Sequence, residues 1–199
     1  MDNLQRSGLR LIEILTHAGF EARFVGGAVR DTLLGLPISD IDLATTALPA
    51  KVTDILTVAG IKVVPTGLAH GTVTAVMDGK GFEITTLRRD IETNGRHAVV
   101  HFTTDWREDA ARRDFTMNAL SQDADGKVYD YFGGLDDANA GRIRFVGEAA
   151  GRIAEDALRL LRFFRFYAWY GKVMPDVETL KACSDAAAQL KNLSRERVW

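Results

Sequence analysis

The stretch 24–48, FVGGAVRDTLLGLPISDIDLATTAL, constrains the fold of this chain more than any other part of it. An apolar run ends at Val25, and two glycines, Gly26 and Gly27, follow it. A short helix is predicted from Ala28 to Leu34, stopped by Gly35 and Pro37. A second strand then presents Asp40 and Asp42. Residues two apart on a strand share a face, so both carboxylates point one way while Ile41 and Leu43 point into a core.

Each part of this stretch suits phosphate chemistry. A helix opening after Gly-Gly aims backbone N–H groups and its positive end at whatever lies in the turn. Glycine lets the backbone approach closely, and Arg30 adds a forked cation that matches phosphate oxygens. Two carboxylates on one face can hold Mg²⁺ and leave places for water and substrate phosphates. Gly-Gly before a helix, or D-x-D by itself, is more often a solvated turn. The ordered set reads as a site that holds a nucleoside triphosphate on metal.

The same stretch resembles the signature of the DNA polymerase beta nucleotidyltransferase superfamily. The fuller wording GGAVRDTLLG…DIDLATTALP resembles the class II tRNA nucleotidyltransferase and bacterial poly(A) polymerase family. The resemblance implies an α+β fold: a nucleotidyltransferase head over 1–140, with a small mixed sheet flanked by helices, then an all-helical neck over 141–199.

Composition narrows the classes further. At 199 residues the chain makes one sizeable domain or two small ones, and a hydrophobic content of 46% is that of an ordinary globular protein. The net charge of −2 excludes a general polyanion binder. Arginines crowd the second half, which favours local phosphate or base contacts over a diffuse basic field. Cys183 is alone, so no internal disulfide forms and a reducing compartment, the cytoplasm, is expected. The four histidines lack zinc-ligand spacing. No apolar run reaches the ~18 residues of a membrane span, and the first residues carry no signal-peptide pattern, so none is expected.

In chain order, 4–18 reads as a surface helix. A second helix runs over 49–59 with Pro49 at its first position. Strands are predicted over 61–64, 72–77 and 82–87, the last two joined by Asp78-Gly79-Lys80-Gly81. Glu83 shares a strand face with Thr85. It is a candidate third carboxylate beside Asp40 and Asp42, and a solvated strand residue is the other reading. Residues 88–105 read as a mobile loop. In WREDAARRDFTMNAL, Asp109, Arg112 and Arg113 come close together before Asp114. An arginine pair there is most often surface charge. The family resemblance of RRDFTMNAL implies instead that Arg113 contacts the nucleotide, with Asp114 and Asn118 shaping the turn. Asp130, Phe132, Gly133 and Gly134 match the family's D-x-F-G-G segment, read as a hinge between head and neck. Ile143 and Phe145 make a last short strand.

From Glu148 the reading is helical, with one helix across 153–170 and another across 176–189. In the first, Leu160, Leu161, Phe163, Phe164 and Tyr167 cover one arc. Arg159, Arg162, Arg165 and Glu155 lie opposite, with Asp156 at the border. A solvated face with a Glu155–Arg159 pair explains this by itself. The match to the family's E-D-x-x-R-x-x-R motif implies base recognition. The final SRERVW, 194–199, resembles the opening of the family's next motif.

The resemblance implies template-independent addition of CMP or AMP from CTP or ATP to the 3′ end of tRNA, with pyrophosphate leaving. Two Mg²⁺ ions are implied on Asp40 and Asp42, with Mn²⁺ as a substitute, and Glu83 is third ligand or base. Gly26, Gly27, Arg30 and Arg113 hold the triphosphate. Asp156 and Arg159 face the amine donor and ring-nitrogen acceptor shared by cytosine and adenine, while Arg162 and Arg165 add base or phosphate contacts. The alternative within the same chemistry is a poly(A) polymerase. A catalytically inert RNA-binding module is opposed by the joint presence of Asp40, Asp42, Arg30 and Arg113. A small-molecule nucleotidyltransferase is opposed by EDALRLLRFFRF. Family members continue into further helical regions that hold tRNA, so this chain is expected to bind CTP and ATP but tRNA only weakly.

Overall fold

A computed structural model of the chain describes residues 3–94, 97–194 and 196. Helix α1 (Asn3–His17) packs Leu11, Ile12 and Leu15 against the main sheet, at the spacing of an amphipathic helix. Strand β1 (Ala22–Val25), helix α2 (Gly27–Leu33), strand β2 (Asp42–Thr45) and helix α3 (Pro49–Val58) follow. The next strands are β3 (Lys62–Gly67), β4 (Thr72–Met77) and β5 (Lys80–Thr86). Asp78 and Gly79 join β4 to β5 at φ 52° and 72°, the left-handed pair that a two-residue hairpin turn needs.

The ribbon β6 (Arg88–Asn94) and β7 (His97–Phe102) forms a separate antiparallel pair. The expectation of a mobile loop over 88–105 is thus corrected. In the sequence Asn94-Gly95 is a hairpin signal between two runs able to pair, and residues 95 and 96 lie outside the described residues. Helix α4 (Trp106–Ala111), a 3₁₀ turn (Thr116–Asn118), strands β8 (Ser121–Gln122) and β9 (Val128–Tyr129) and helix α5 (Gly134–Ala140) complete the first part. The main sheet has seven strands in the order β3-β4-β5-β2-β1-β8-β9. It is mixed: β2 runs parallel to β5 and antiparallel to β1.

Helices α6 (Ala149–Glu155), α7 (Leu158–Tyr170) and α8 (Val177–Ala186) form the second part. The single helix expected over 153–170 is broken at Asp156, which adopts φ −155° and ψ 108°. An aspartate at a helix start satisfies the first free N–H groups. Here its side chain accepts from Leu158 N–H at 3.1 Å and its carbonyl from Arg159 N–H at 3.0 Å. Ile143 and Phe145 make no strand, only one bridge, from Phe145 to Phe115.

Two cores result. One lies between α1, α3 and the sheet, around Leu43, Leu56, Phe82 and Ile84. The other gathers Phe115, Phe145, Phe163 and Phe166. The second core crosses residue 140, so the helical part is fastened to the segment Phe115–Met117 by buried aromatic contact. Of the final motif 194–199, residues 195 and 197–199 lie outside the described residues.

Candidate active site: a cleft between sheet and helices

An open cleft of about 880 Å³ lies between the Gly-Gly turn and α7. Its floor is set by sheet register. Val25 pairs with Asp42, and Asp42 pairs with Glu83 on the other side, so the turn, Asp42 and Glu83 lie side by side across three strands. The strand begins at Asp42, and Asp40 precedes it in the connection. The alternation expected from sequence still holds, with Asp40 and Asp42 exposed and Ile41 and Leu43 buried. Asp40 accepts a short hydrogen bond from Ser39.

Loss of solvation in the cleft raises the Asp42 carboxyl above its ordinary range, and repulsion from Glu83 and then Asp40 adds to this; Arg113 opposes it. A pocket of mutually repelling carboxylates is the electrostatic condition that a divalent cation relieves. Among the described residues no three carboxylate, imidazole or thiol groups converge as a ready-made metal cage. The donors fit an ion that keeps several sites for water and substrate oxygens, as Mg²⁺ does. Glu83 neighbours Asp42 in register but does not line the cleft.

Gly26 and Gly27 both line the cleft. Gly26 sits at φ 67°, where the turn favours glycine, and a Cβ there would lie 3.1 Å from Arg113 Nη1, a tight contact that would push the guanidinium back by a few tenths of an ångström. Arg113 is anchored by buried Asp109, whose carboxylate also takes Arg112. Burial alone would raise Asp109, but the two arginines and their hydrogen bonds outweigh it and hold it below the usual carboxylate range.

Arg30 lines the cleft differently from the expectation. It is 6% exposed. It donates to both Asp31 oxygens at 2.9 and 2.8 Å and to Asn118 Oδ1 at 2.6 Å, and it stacks 4.4 Å from the Tyr170 ring. Tyr170 O–H closes the group by donating to Asp31 at 3.3 Å. Most of its donors are committed within the protein, which makes it a brace between α2 and α7.

On the helical wall, Asp156, Arg159 and Arg162 all reach the cleft, while Arg165 is exposed and does not line it. Arg162 forms a two-point pair with Asp114, at 2.7 Å from Nε and 2.6 Å from Nη2. Asp114 is accordingly held below the usual range: burial raises it, but Arg162, Asn118 and the Phe115 N–H outweigh that. Arg159 pairs with Glu155 and donates to the Arg152 carbonyl at 3.0 Å.

Sequence reasoning passed over Arg152. Its Nη2 donates to the carbonyls of Arg112 and Arg113 at 2.5 and 2.7 Å, and Nη1 to Glu155 at 2.5 Å. It thereby fastens α6 to the backbone that carries Arg113. Its place three residues before Glu155 was the one available signal. Gly134, expected at a hinge, is closely packed: a Cβ there would lie 2.0 Å from the Thr116 carbonyl oxygen.

A glycine turn, two exposed aspartates and an arginine-lined helical wall thus share one cleft. The family described as "Poly A polymerase head domain" matches residues 22–144, and this chain belongs to it. It is 46% identical over 204 residues to the human "CCA tRNA nucleotidyltransferase 1, mitochondrial", covering 99% of this chain and 46% of that protein. It is 44% identical over 192 residues to the "CCA-adding enzyme" of Latilactobacillus sakei, covering 96% of this chain and 47% of that one. Among solved structures, the Bacillus stearothermophilus CCA-adding enzyme in complex with CTP superposes with a TM-score of 0.88 at 41% identity, over 99% of this chain and 47% of that chain. The chain thus spans about half the length of these relatives. No helix among the described residues is long and apolar enough to cross a membrane.

Proposed function

We propose that this chain is the catalytic head and neck of a template-independent RNA nucleotidyltransferase. It adds CMP and AMP from CTP and ATP to the 3′ end of tRNA and releases pyrophosphate. The observation that carries the reading is the single cleft that gathers Gly26, Gly27 and Arg113 at one end, Asp40 and Asp42 on its floor, and Asp156, Arg159 and Arg162 on its wall.

Arg113 holds triphosphate oxygens above the Gly26–Gly27 turn. Asp40 and Asp42 hold divalent metal, Mg²⁺, with Mn²⁺ as a substitute. When bound, that ion neutralises charge on the reacting phosphate. Asp156 accepts from the exocyclic amine of cytosine or adenine, and Arg159 donates to the adjacent ring nitrogen. Uracil and guanine present a carbonyl and an N–H there, so both contacts fail, and mismatched buried polar groups discriminate strongly. Arg162 adds a base or phosphate contact. Glu83, beside Asp42, serves as third acidic group. The buried lone Cys183 suits a reducing compartment, for which we propose the cytoplasm.

The family's name raises poly(A) addition as the second reading, while the relatives named above are called CCA enzymes. The test is to incubate the protein carrying this chain with tRNA lacking its 3′ end, Mg²⁺ and labelled triphosphates, singly and together, and to size the products. Growth by a few nucleotides that needs both CTP and ATP is expected. A long tail from ATP alone would establish the second reading, and no extension would refute both.

A further inference from the structure

Arg113 is held from two sides where it faces the cleft. Its Nη2 donates to Asp109 Oδ2 at 3.2 Å, and its Nη1 faces the Gly26 turn and donates to the Asn118 carbonyl at 3.5 Å. Asp109 is itself 2% exposed on α4. Its other oxygen accepts from Arg112 Nε and Nη2 at 3.0 and 2.8 Å, and from the Arg88 backbone N–H at 3.2 Å at the base of the β6–β7 ribbon. The carboxylate is therefore held by its neighbour Arg112 and by the base of the ribbon as well as by Arg113. Arg112 does not line the cleft.

We propose that Asp109 is a positioning residue for triphosphate binding, acting through Arg113. This rests on the reading of the cleft as a nucleotide site. An arginine has several rotatable bonds, and ordering it before the ligand arrives removes that ordering cost from binding. One end of the Arg113 fork is pinned by Asp109, and the other is left over the glycine turn, where no Cβ intervenes. The sign of the effect separates position from charge. Removing a carboxylate beside an anion site strengthens anion binding if charge alone matters. It weakens binding if the carboxylate's work is to hold the cation in place.

The test is a double-mutant cycle on the intact protein, reading Kd for CTP and ATP by equilibrium dialysis in Mg²⁺. Asp109→Asn should weaken both about tenfold in the wild-type background, within the usual coupling range for contacting residues. In the Arg113→Ala background it should add less than about twofold. Arg112→Ala, which removes one of the holds on the Asp109 carboxylate but nothing in the cleft, should weaken binding in the same direction, by less than Asp109→Asn does. Should Asp109→Asn fail to fold, Asp109→Glu, which keeps the charge but displaces the oxygens, carries the same cycle. Unchanged or tighter binding in the Asp109 variant, or equal weakening with and without Arg113, overturns the inference. Failure of the wild-type protein to bind either triphosphate overturns the nucleotide reading itself, a distinct result.

Discussion

Asp40 and Asp42 reach the same cleft by different routes, one from a connection and one from the first residue of β2. Both are exposed, so neither contributes to the core. Asp40→Ala or Asp42→Ala should therefore lower transfer about a thousandfold, roughly 4 kcal/mol of transition-state stabilisation. The melting temperature should stay within about 2 °C. Appreciable turnover in either variant, or full activity in excess chelator, would contradict a metal role. Asp109 and Asp114 behave differently because they are buried against arginines and held below the usual range. The unfolded chain binds their protons more readily, so their stabilisation is fully present above the unfolded value of about 3.9. It is lost as pH falls through the lowered folded values. The urea midpoint should hold between pH 7 and 5 and fall steadily below about pH 4; a midpoint that rises on acidification would contradict this.

The elements differ in how much of them the sequence disclosed. The strand, Gly-Gly turn and short helix α2 were legible because each is fixed by neighbours a few residues away. The order of the sheet was not, since the pairing of Asp42 with Glu83 joins residues from distant parts of the chain. The break at Asp156 was hidden because hydrophobic periodicity runs through it; only the capping habit of aspartate opposed a single helix. The bracing contacts of Arg30 were hidden because they depend on Asn118 and Tyr170, which sequence spacing could not bring to it. Gly134 belongs to the same class. Its glycine is required by the Thr116 carbonyl beneath α5, so Gly134→Ala should cost about 2 kcal/mol or more, typical of overpacking against backbone. Unchanged stability in urea unfolding would show that α5 moves away freely, as the hinge reading requires.

At the scale of the molecule, the division at residue 140 that sequence suggests does not separate two cores. Phe115 and Met117 from the first part share one with Ile143, Phe145, Phe163 and Phe166. Phe163→Ala should cost about 3–5 kcal/mol and reduce activity with stability, since α7 carries Arg159 and Arg162. A loss under about 1 kcal/mol would mean that the aromatic core does not fasten the helices. The family assignment was legible because its motifs are local and appear in order, whereas the contacts by which Arg152, Arg162 and Arg30 brace the parts around the cleft are tertiary.

The central claim is that this cleft, without a nucleic-acid template, selects C and A by the edges they present to Asp156 and Arg159. Incorporation efficiency for all four triphosphates, in wild type and in Asp156→Ala, tests it most directly. A buried charge-assisted hydrogen bond is worth roughly 1.5–3 kcal/mol, so CTP and ATP use should fall about tenfold to a hundredfold. UTP and GTP use should fall less, or rise, because their carbonyls no longer face a carboxylate. An unchanged preference among the four, in both order and size, would contradict the account.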